Sequence, residues 1–196
     1  MRSRPWRPLV AAILLGVAMP ASATMLRHMT LQDLAASADR VFRGTVVGID
    51  STTIQAGGSE LPVTIYRIKV VEGFKGSFAT PKGEPVVELR MLSARKANVT
   101  AGGMQRLAVL SDLPTLAMGG EYVLFTTRPS AIGLSTTVGL GQGAFAVQVG
   151  TKEELTANKF SNAGLAWGSP LMPDSGPVPY ARFAQAVRQA VAEVRR

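Results

Sequence analysis

Three side chains near the start of the chain are of the types that a soft metal prefers. Met25, His28 and Met29 lie within five residues of one another, and thioether and imidazole ligands suit copper(I). The same spacing places them on one face of a helix, and Met is a common filler of protein cores. We therefore predict core packing for these residues, with a periplasmic copper(I)-binding protein as an alternative.

The chain offers few groups for nucleophilic or redox catalysis. It contains no Cys and a single His, which excludes thiol catalysis, zinc ribbons, iron–sulfur clusters and disulfide scaffolds. A Ser-His-Asp hydrolase would need His28, and the sequence has no nucleophile elbow. The 13 acidic residues leave a carboxylate pair open, so an envelope enzyme that uses carboxylates is the alternative. We predict that the protein is not an enzyme.

A glycine-rich stretch at residues 139–144 formally matches the dinucleotide fingerprint G-x-G-x-x-A. That fingerprint requires a following helix, whose N-terminus receives the pyrophosphate. Phe145, Val147 and Val149 instead alternate with other residues as in a strand. We predict a glycine turn that leads into a strand, and no cofactor.

Residues 1–23 have the order of features found in a secretory signal peptide. Arg2, Arg4 and Arg7 precede an apolar run from Leu9 to Met19, which is followed by Pro20 and the small residues Ala21-Ser22-Ala23. The apolar run is too short for a spanning helix, which needs about 20 residues. We therefore predict export to the periplasm or the extracellular space, without stable membrane insertion.

The charge balance gives no sign of a nucleic-acid surface. The whole chain has 21 basic and 13 acidic residues, and removal of residues 1–23 leaves 18 basic residues and a net charge of +5. These charges are scattered along the sequence, whereas a nucleic-acid footprint concentrates them on one face. We expect a protein partner and no nucleic acid; the oligomeric state is left open.

The remaining pattern predicts a mainly β domain between two helices. Thr30 and Asp33 can cap a short helix, whose apolar positions Leu31, Leu34, Ala35 and Ala38 have helical spacing. Strands are predicted near residues 41–49, 64–70, 87–91, 121–125, 132–134 and 145–149, with a polar loop at 51–60 and a long loop at 93–106. Alternation predicts a core face formed by Tyr66, Ile68, Val70, Val87, Leu89 and Met91.

The last part of the chain, residues 151–196, reads as a Pro-rich extended segment followed by a helix. Pro170, Pro173, Pro177 and Pro179 favour extended backbone, and an apolar stripe begins at Tyr180. We predict that this amphipathic helix packs its stripe against the domain and keeps its arginines in water.

Four segments resemble the strands of netrin-like domains, whose best-known members are the tissue inhibitors of metalloproteinases. They are Ser37–Val46, Ile65–Gly76 with its terminal Phe-Lys-Gly, Glu84–Met91, and Met118–Phe125. The same landmarks resemble those of many exported bacterial proteins. The resemblance implies a closed five-stranded OB-like barrel over residues 24–150, on which residues 151–196 pack.

The resemblance also implies a mode of action. In the inhibitors, the free α-amine and the carbonyl of the N-terminal residue chelate the zinc of the protease. Cleavage after Ala23 would make Thr24 that residue, Met25 and Leu26 would follow into the specificity pocket, and loop 93–106 would form a second contact edge. We therefore expect an exported non-catalytic binding module, similar to a protease inhibitor, with a secreted metalloprotease as the first partner class.

Overall fold

The computed structural model describes residues 28–78, 83–93, 113–165 and 175–195. The protein is mainly β, with one antiparallel seven-stranded sheet and two helices. Residues 1–23, the inhibitor-like residues Thr24, Met25 and Leu26, and almost all of loop 93–106 lie outside the described residues, so the predictions made for them stay predictions.

The elements follow one another along the chain in an order that mixes hairpins with longer connections. They are α1 (Leu31–Ser37), β1 (Arg40–Ala56), β2 (Ser59–Lys75), β3 (Val86–Leu92), β4 (Glu121–Thr126), β5 (Ala144–Val149), β6 (Glu154–Asn158), β7 (Val178–Pro179) and α2 (Tyr180–Val194). The strand order in the sheet is β3-β2-β1-β4-β5-β6-β7. A short 3-10 turn, Leu140–Gly143, precedes β5, which confirms that the glycine-rich stretch leads into a strand.

Both predicted helices are present. The Thr30 side chain accepts a hydrogen bond from the backbone N–H of Asp33, and the Asp33 carboxylate accepts one from the backbone N–H of Thr30. This capping box satisfies two otherwise unpaired donors at the start of α1. Helix α2 begins at Tyr180 as predicted, and its apolar stripe packs together with α1 against one face of the sheet.

The polar loop predicted at residues 51–60 is wrong, because β1 and β2 continue to a two-residue turn. Gly57 and Gly58 form that turn with φ angles of 58° and 76°. Two positive φ angles are typical of the tight hairpin turn whose twist matches the flanking strands. The hairpin tip has no buried face, so the alternation that identifies a half-buried strand is absent from its sequence.

Three bulges bend the β1–β2 hairpin so that its base can pack on both faces. Val47, Val71 and Phe74 each have no opposite residue in the ladder. The bulge at Phe74 places this ring in the core under α2, where the Arg188 guanidinium lies 5.5 Å from the ring centroid. Gly44 is required at the bend, since a Cβ there would lie 2.6 Å from the Lys69 carbonyl oxygen.

The sheet has a hydrophobic core on each face. One core lies between the two helices and the sheet, and it contains Val123, Phe125, Phe145 and Phe183. The other core contains all six residues predicted for one strand face, which confirms that prediction: Tyr66, Ile68, Val70, Val87, Leu89 and Met91.

The predicted closed five-stranded barrel is not confirmed. The sheet has seven strands, and among the described residues its outermost strands, β3 and β7, do not pair with each other. Strands β6 and β7 fall in the part predicted to be extended and Pro-rich. The short strand predicted at 132–134 is a turn; beyond it, Ser135 donates a backbone hydrogen bond of 2.8 Å to Arg90 on β3.

Candidate functional site

A groove of about 570 Å³ lies on the sheet face opposite the helices. Strands β4, β5 and β6 form its floor, and the segment 113–116 forms one wall. Pro177, just before β7, lies at its other side. The groove is a concave, mainly apolar surface lined by a few polar groups, and it is therefore the candidate site.

The groove has open space above its floor because the strand register places two alanine side chains next to each other. Tyr122 pairs with Ala146 across β4 and β5, and Ala146 pairs with Ala157 across β5 and β6. Residues opposite one another in an antiparallel sheet project from the same face. Two adjacent methyl side chains therefore leave open space next to the Tyr122 ring.

The wall is fastened to the floor by the same tyrosine. The Tyr122 hydroxyl accepts a 3.0 Å hydrogen bond from the backbone N–H of Ala117. Leu113 and Leu116 in the wall are buried, and Leu116 belongs to the second core. Gly120 leaves room for the ring, since a Cβ there would lie 2.8 Å from the Tyr122 ring and hydroxyl.

The groove combines an apolar surface with a few polar side chains. Its described lining includes Lys159 and Tyr122 but no carboxylate and no imidazole. Gln148 and Thr115 add neutral polar groups, and Val149 is 89% exposed at the rim. An apolar surface with a few polar groups is the usual composition of a binding site.

Two buried asparagines support the far end of the groove. The Asn158 carboxamide oxygen accepts hydrogen bonds of 2.9 Å from the backbone N–H groups of Phe160 and Asn162, and its amide donates to the Gln142 carbonyl. Asn162, which has no solvent exposure, accepts from the Asn158 backbone N–H and donates to the Thr156 and Gly176 carbonyls. The pair joins β6 to the turn before β5 and to the segment that leads into β7.

The backbone around these asparagines has an uncommon conformation. Ser161 and Asn162 both have positive φ angles, 51° and 59°. Asn tolerates this region better than most residues because its short polar side chain can bond locally. The three hydrogen bonds of the Asn162 side chain offset the backbone strain of the turn at residues 161–162. We therefore infer that Asn162 holds this turn against β6 and the segment before β7.

Two of the acidic residues, Glu121 and Glu154, are bound to Arg43. The Arg43 guanidinium donates to Glu121 at 2.6 Å and to both carboxylate oxygens of Glu154 at 2.7 and 2.9 Å. It also lies 4.0 Å from the centroid of the Tyr180 ring. The Tyr180 hydroxyl in turn donates to Glu72 at 2.5 Å. This network connects β1, β2, β4, β6 and α2.

The pKa values in this network follow from its hydrogen bonds and its burial. The Arg43 hydrogen bond lowers the pKa of Glu154 below its ordinary value, and the Glu121 carboxylate is the largest cause of a raised pKa of Arg43. Burial, followed by the Glu72 carboxylate, raises the pKa of Tyr180 to about 12. A general acid needs a raised carboxyl pKa, and the shift at Glu154 has the opposite sign.

The predicted soft-metal residues are described only in part, because Met25 lies outside the described residues. Met29 is partly buried against the helix-side core, with its sulfur close to Gly139, as the core-packing prediction expects. His28 is exposed and lies beside Gly164, so core packing is wrong for this residue; His28 and Met29 precede α1 and do not form a helical face. Within the described ranges, no three His, Cys, Asp or Glu side chains cluster as metal ligands.

Sequence reasoning missed the groove and its support. The β5–β6 pairing, which makes Ala146 and Ala157 neighbours, was not predicted, although Gly150 at the start of a short turn between the two strands is a local hairpin signal. A turn could have been predicted at residues 158–162, because Asn and Ser are common in tight turns and this segment contains Asn158, Ser161 and Asn162.

Comparisons with known proteins add no family assignment. No protein-family model matches the sequence, and a search of curated proteins finds no significant match.

Over the residues that the structure describes, neither helix has the length and apolar character needed to cross a bilayer.

Proposed function

We propose that the protein is an exported, non-catalytic binding module that holds an extended segment of a protein partner in the groove. The observation that carries the proposal is the row Tyr122–Ala146–Ala157 on β4, β5 and β6. This row leaves one face of a fully paired, rigid part of the sheet open. Binding sites on rigid strands need little reorganisation when the partner arrives.

The groove favours a partner segment with small or apolar side chains. Val149 at the rim and Leu155 in the lining present apolar surface, while Gln148 can bond a partner's backbone amide. Lys159 contributes a positive charge at one end, which favours a segment that carries a carboxylate there.

The resemblance to netrin-like domains makes a secreted metalloprotease the first partner class to test. In that form of the proposal, the free α-amine and the carbonyl of Thr24 occupy the open coordination position of the zinc. Its test compares protein that begins at Thr24 with protein that carries one additional N-terminal Ala. Inhibition by the first and not by the second supports this mechanism, and equal inhibition by both refutes it.

The proposal also includes the closure of the sheet into a barrel. We infer an OB-like barrel in which the segment after Gly133 joins β4 to β3. Thr137 forms an isolated bridge with Thr126 at the end of β4, and Ser135 bonds to Arg90 on β3. These contacts favour closure by a segment too irregular to count as a strand.

The alternative enzyme that uses carboxylates receives less support. Glu121 and Glu154 both bond to Arg43, and the pKa of Glu154 is lowered rather than raised. A hydrolase screen of the protein that found turnover lost in Glu121→Gln would favour the enzyme over the binding module.

The groove is tested by filling it. In Ala146→Leu, the added side chain occupies the floor, while Ala192→Leu makes the same chemical change on an exposed position of α2. Peptides selected from a random display library against the unaltered protein should bind Ala192→Leu equally and Ala146→Leu at least about tenfold more weakly, the effect of a clash of about 1.4 kcal/mol. Failure to select any peptide, or equal binding to both variants, contradicts the proposal.

A further inference from the structure

The distal half of β1 is a long sheet edge with no partner strand in the described structure. Strand β4 pairs with β1 only over Arg40–Thr45, and the last contact on that side joins Val46 to Gly119 and Gly120. Residues 48–56 continue to the hairpin turn, paired with β2 alone. Such an edge presents a row of backbone donors and acceptors to any extended chain.

The backbone geometry identifies which groups the edge presents. Ala56 and Ser59 flank a two-residue turn, so they form a hydrogen-bonded pair and Ala56 faces inward. Alternation then directs the backbone groups of Ile49, Ser51, Thr53 and Gln55 outward. Before the bulge, the even-numbered Val46 directs its backbone groups outward, to Gly119 and Gly120. The extra residue Val47 shifts the alternation by one, so that odd-numbered residues face outward after it.

Within the described residues, the edge formed by residues 48–56 has little of the usual protection against pairing. Residues 48–56 contain no Lys and no Pro, and the ladder runs without a bulge from Gly48 to Ala56. Asp50 is the only charged residue among them, and its carboxylate lies 2.7 Å from the Arg67 guanidinium. The sequence between Ile49 and Gln55 is rich in Ser and Thr, which pair well across strands.

We propose that this edge joins a second copy of the chain, antiparallel, about a two-fold axis at Thr52. The segment is self-complementary in that register: Gly48 faces Ala56, Ser51 faces Thr53, and Thr52 faces its own copy. Asp50 faces Ile54 of the other copy, so no like charges lie opposite each other. All four outward residues then bond, forming about eight backbone hydrogen bonds between the copies.

A cysteine scan tests the register directly, since the chain has no Cys of its own. Thr52 and its copy form a non-hydrogen-bonded pair with Cα atoms about 4.5 Å apart, within disulfide range. Under mild oxidation of the whole 196-residue chain, Thr52→Cys should give at least about ten times more disulfide-linked dimer than Gln55→Cys. Gln55 and its copy would be about 20 Å apart, six residues along the strand. Equal cross-linking of both variants, or none in either, overturns the proposal.

A charge exchange at the same position gives a second, independent readout. Thr52→Lys and Thr52→Glu each place like charges opposite each other, so each variant alone should sediment as a monomer. An equal mixture of the two should sediment as a dimer, as should the unaltered chain at high concentration. Thr52 is exposed, so both variants should retain their circular dichroism spectrum and unfolding midpoint. A chain that stays monomeric throughout, or an edge that captures only foreign peptides, contradicts pairing with a second copy.

Discussion

Replacement of Asn162 by Ala removes three hydrogen bonds from a side chain that has no solvent exposure. The groups left behind are the Asn158 N–H and the Thr156 and Gly176 carbonyls. At about 1 kcal/mol for each lost bond to a buried group, the loss is about 3 kcal/mol. Ala at a φ of 59° adds about 1 kcal/mol of backbone strain. We therefore expect Asn162→Ala to lower the free energy of unfolding by about 4 kcal/mol.

The assay is denaturant unfolding followed by far-ultraviolet circular dichroism, with the slope checked for an unchanged two-state transition. Asn162→Gly separates the two causes, because Gly adopts the positive φ without strain but makes no side-chain bonds; it should still lose about 3 kcal/mol. Ser161→Gly, at the neighbouring exposed position with a φ of 51°, relieves the strain of a non-glycine residue and should therefore not lower the free energy of unfolding. A loss below about 1 kcal/mol in Asn162→Ala, or full stability in Asn162→Gly, would refute the reasoning.

Two further perturbations test the core face and the Arg43 network. Ile68 is fully buried, so Ile68→Ala should lower the free energy of unfolding by about 2–5 kcal/mol. Arg67→Gln removes a half-exposed ion pair with Asp50 and should lower it by less than about 0.5 kcal/mol in the same assay. Equal losses would show that the two faces of β2 are assigned wrongly. The pKa of Glu154 is lower in the folded protein than its ordinary value of 4.5, so its stabilising contribution is present above about pH 4.5 and is lost as the pH falls below it. Glu154→Gln should therefore be less stable than the unaltered protein at pH 6, and this difference should shrink as the pH falls below 4.5; a pH-independent difference would show that charge on Glu154 does not matter.

Much of the scaffold could be predicted from local pattern. In β2 and β3, alternation of apolar and charged residues identified the buried face, because a strand with one face in water must bury every second side chain. The helix cap formed by Thr30 and Asp33 could also be predicted from the sequence, because its hydrogen bonds join residues three positions apart. These features depend on neighbours along the chain.

Local pattern failed where burial did not alternate. The tip of the β1–β2 hairpin is exposed on both faces, so its polar sequence resembles a loop although its backbone pairs fully. Strand β6 forms a hairpin with β5 across the turn that begins at Gly150, but it is short and mostly polar; β7 has two residues and pairs with Leu155 and Thr156, more than twenty residues earlier. Predicting them requires knowing what lies beside them.

The sequence by itself determined the class of the protein: a mainly β chain with a capped helix before the sheet, an amphipathic helix after it, and no thiol chemistry, because it has no Cys. The tertiary structure decided the number of strands, the pairing of Arg43 with two glutamates, and the groove. The physical reason is that register across β4, β5 and β6 is set by the summed packing of both sheet faces. Whether Ala146 lies beside Tyr122 is therefore a property of the assembled sheet, because β4 and β5 are separated by residues 127–143.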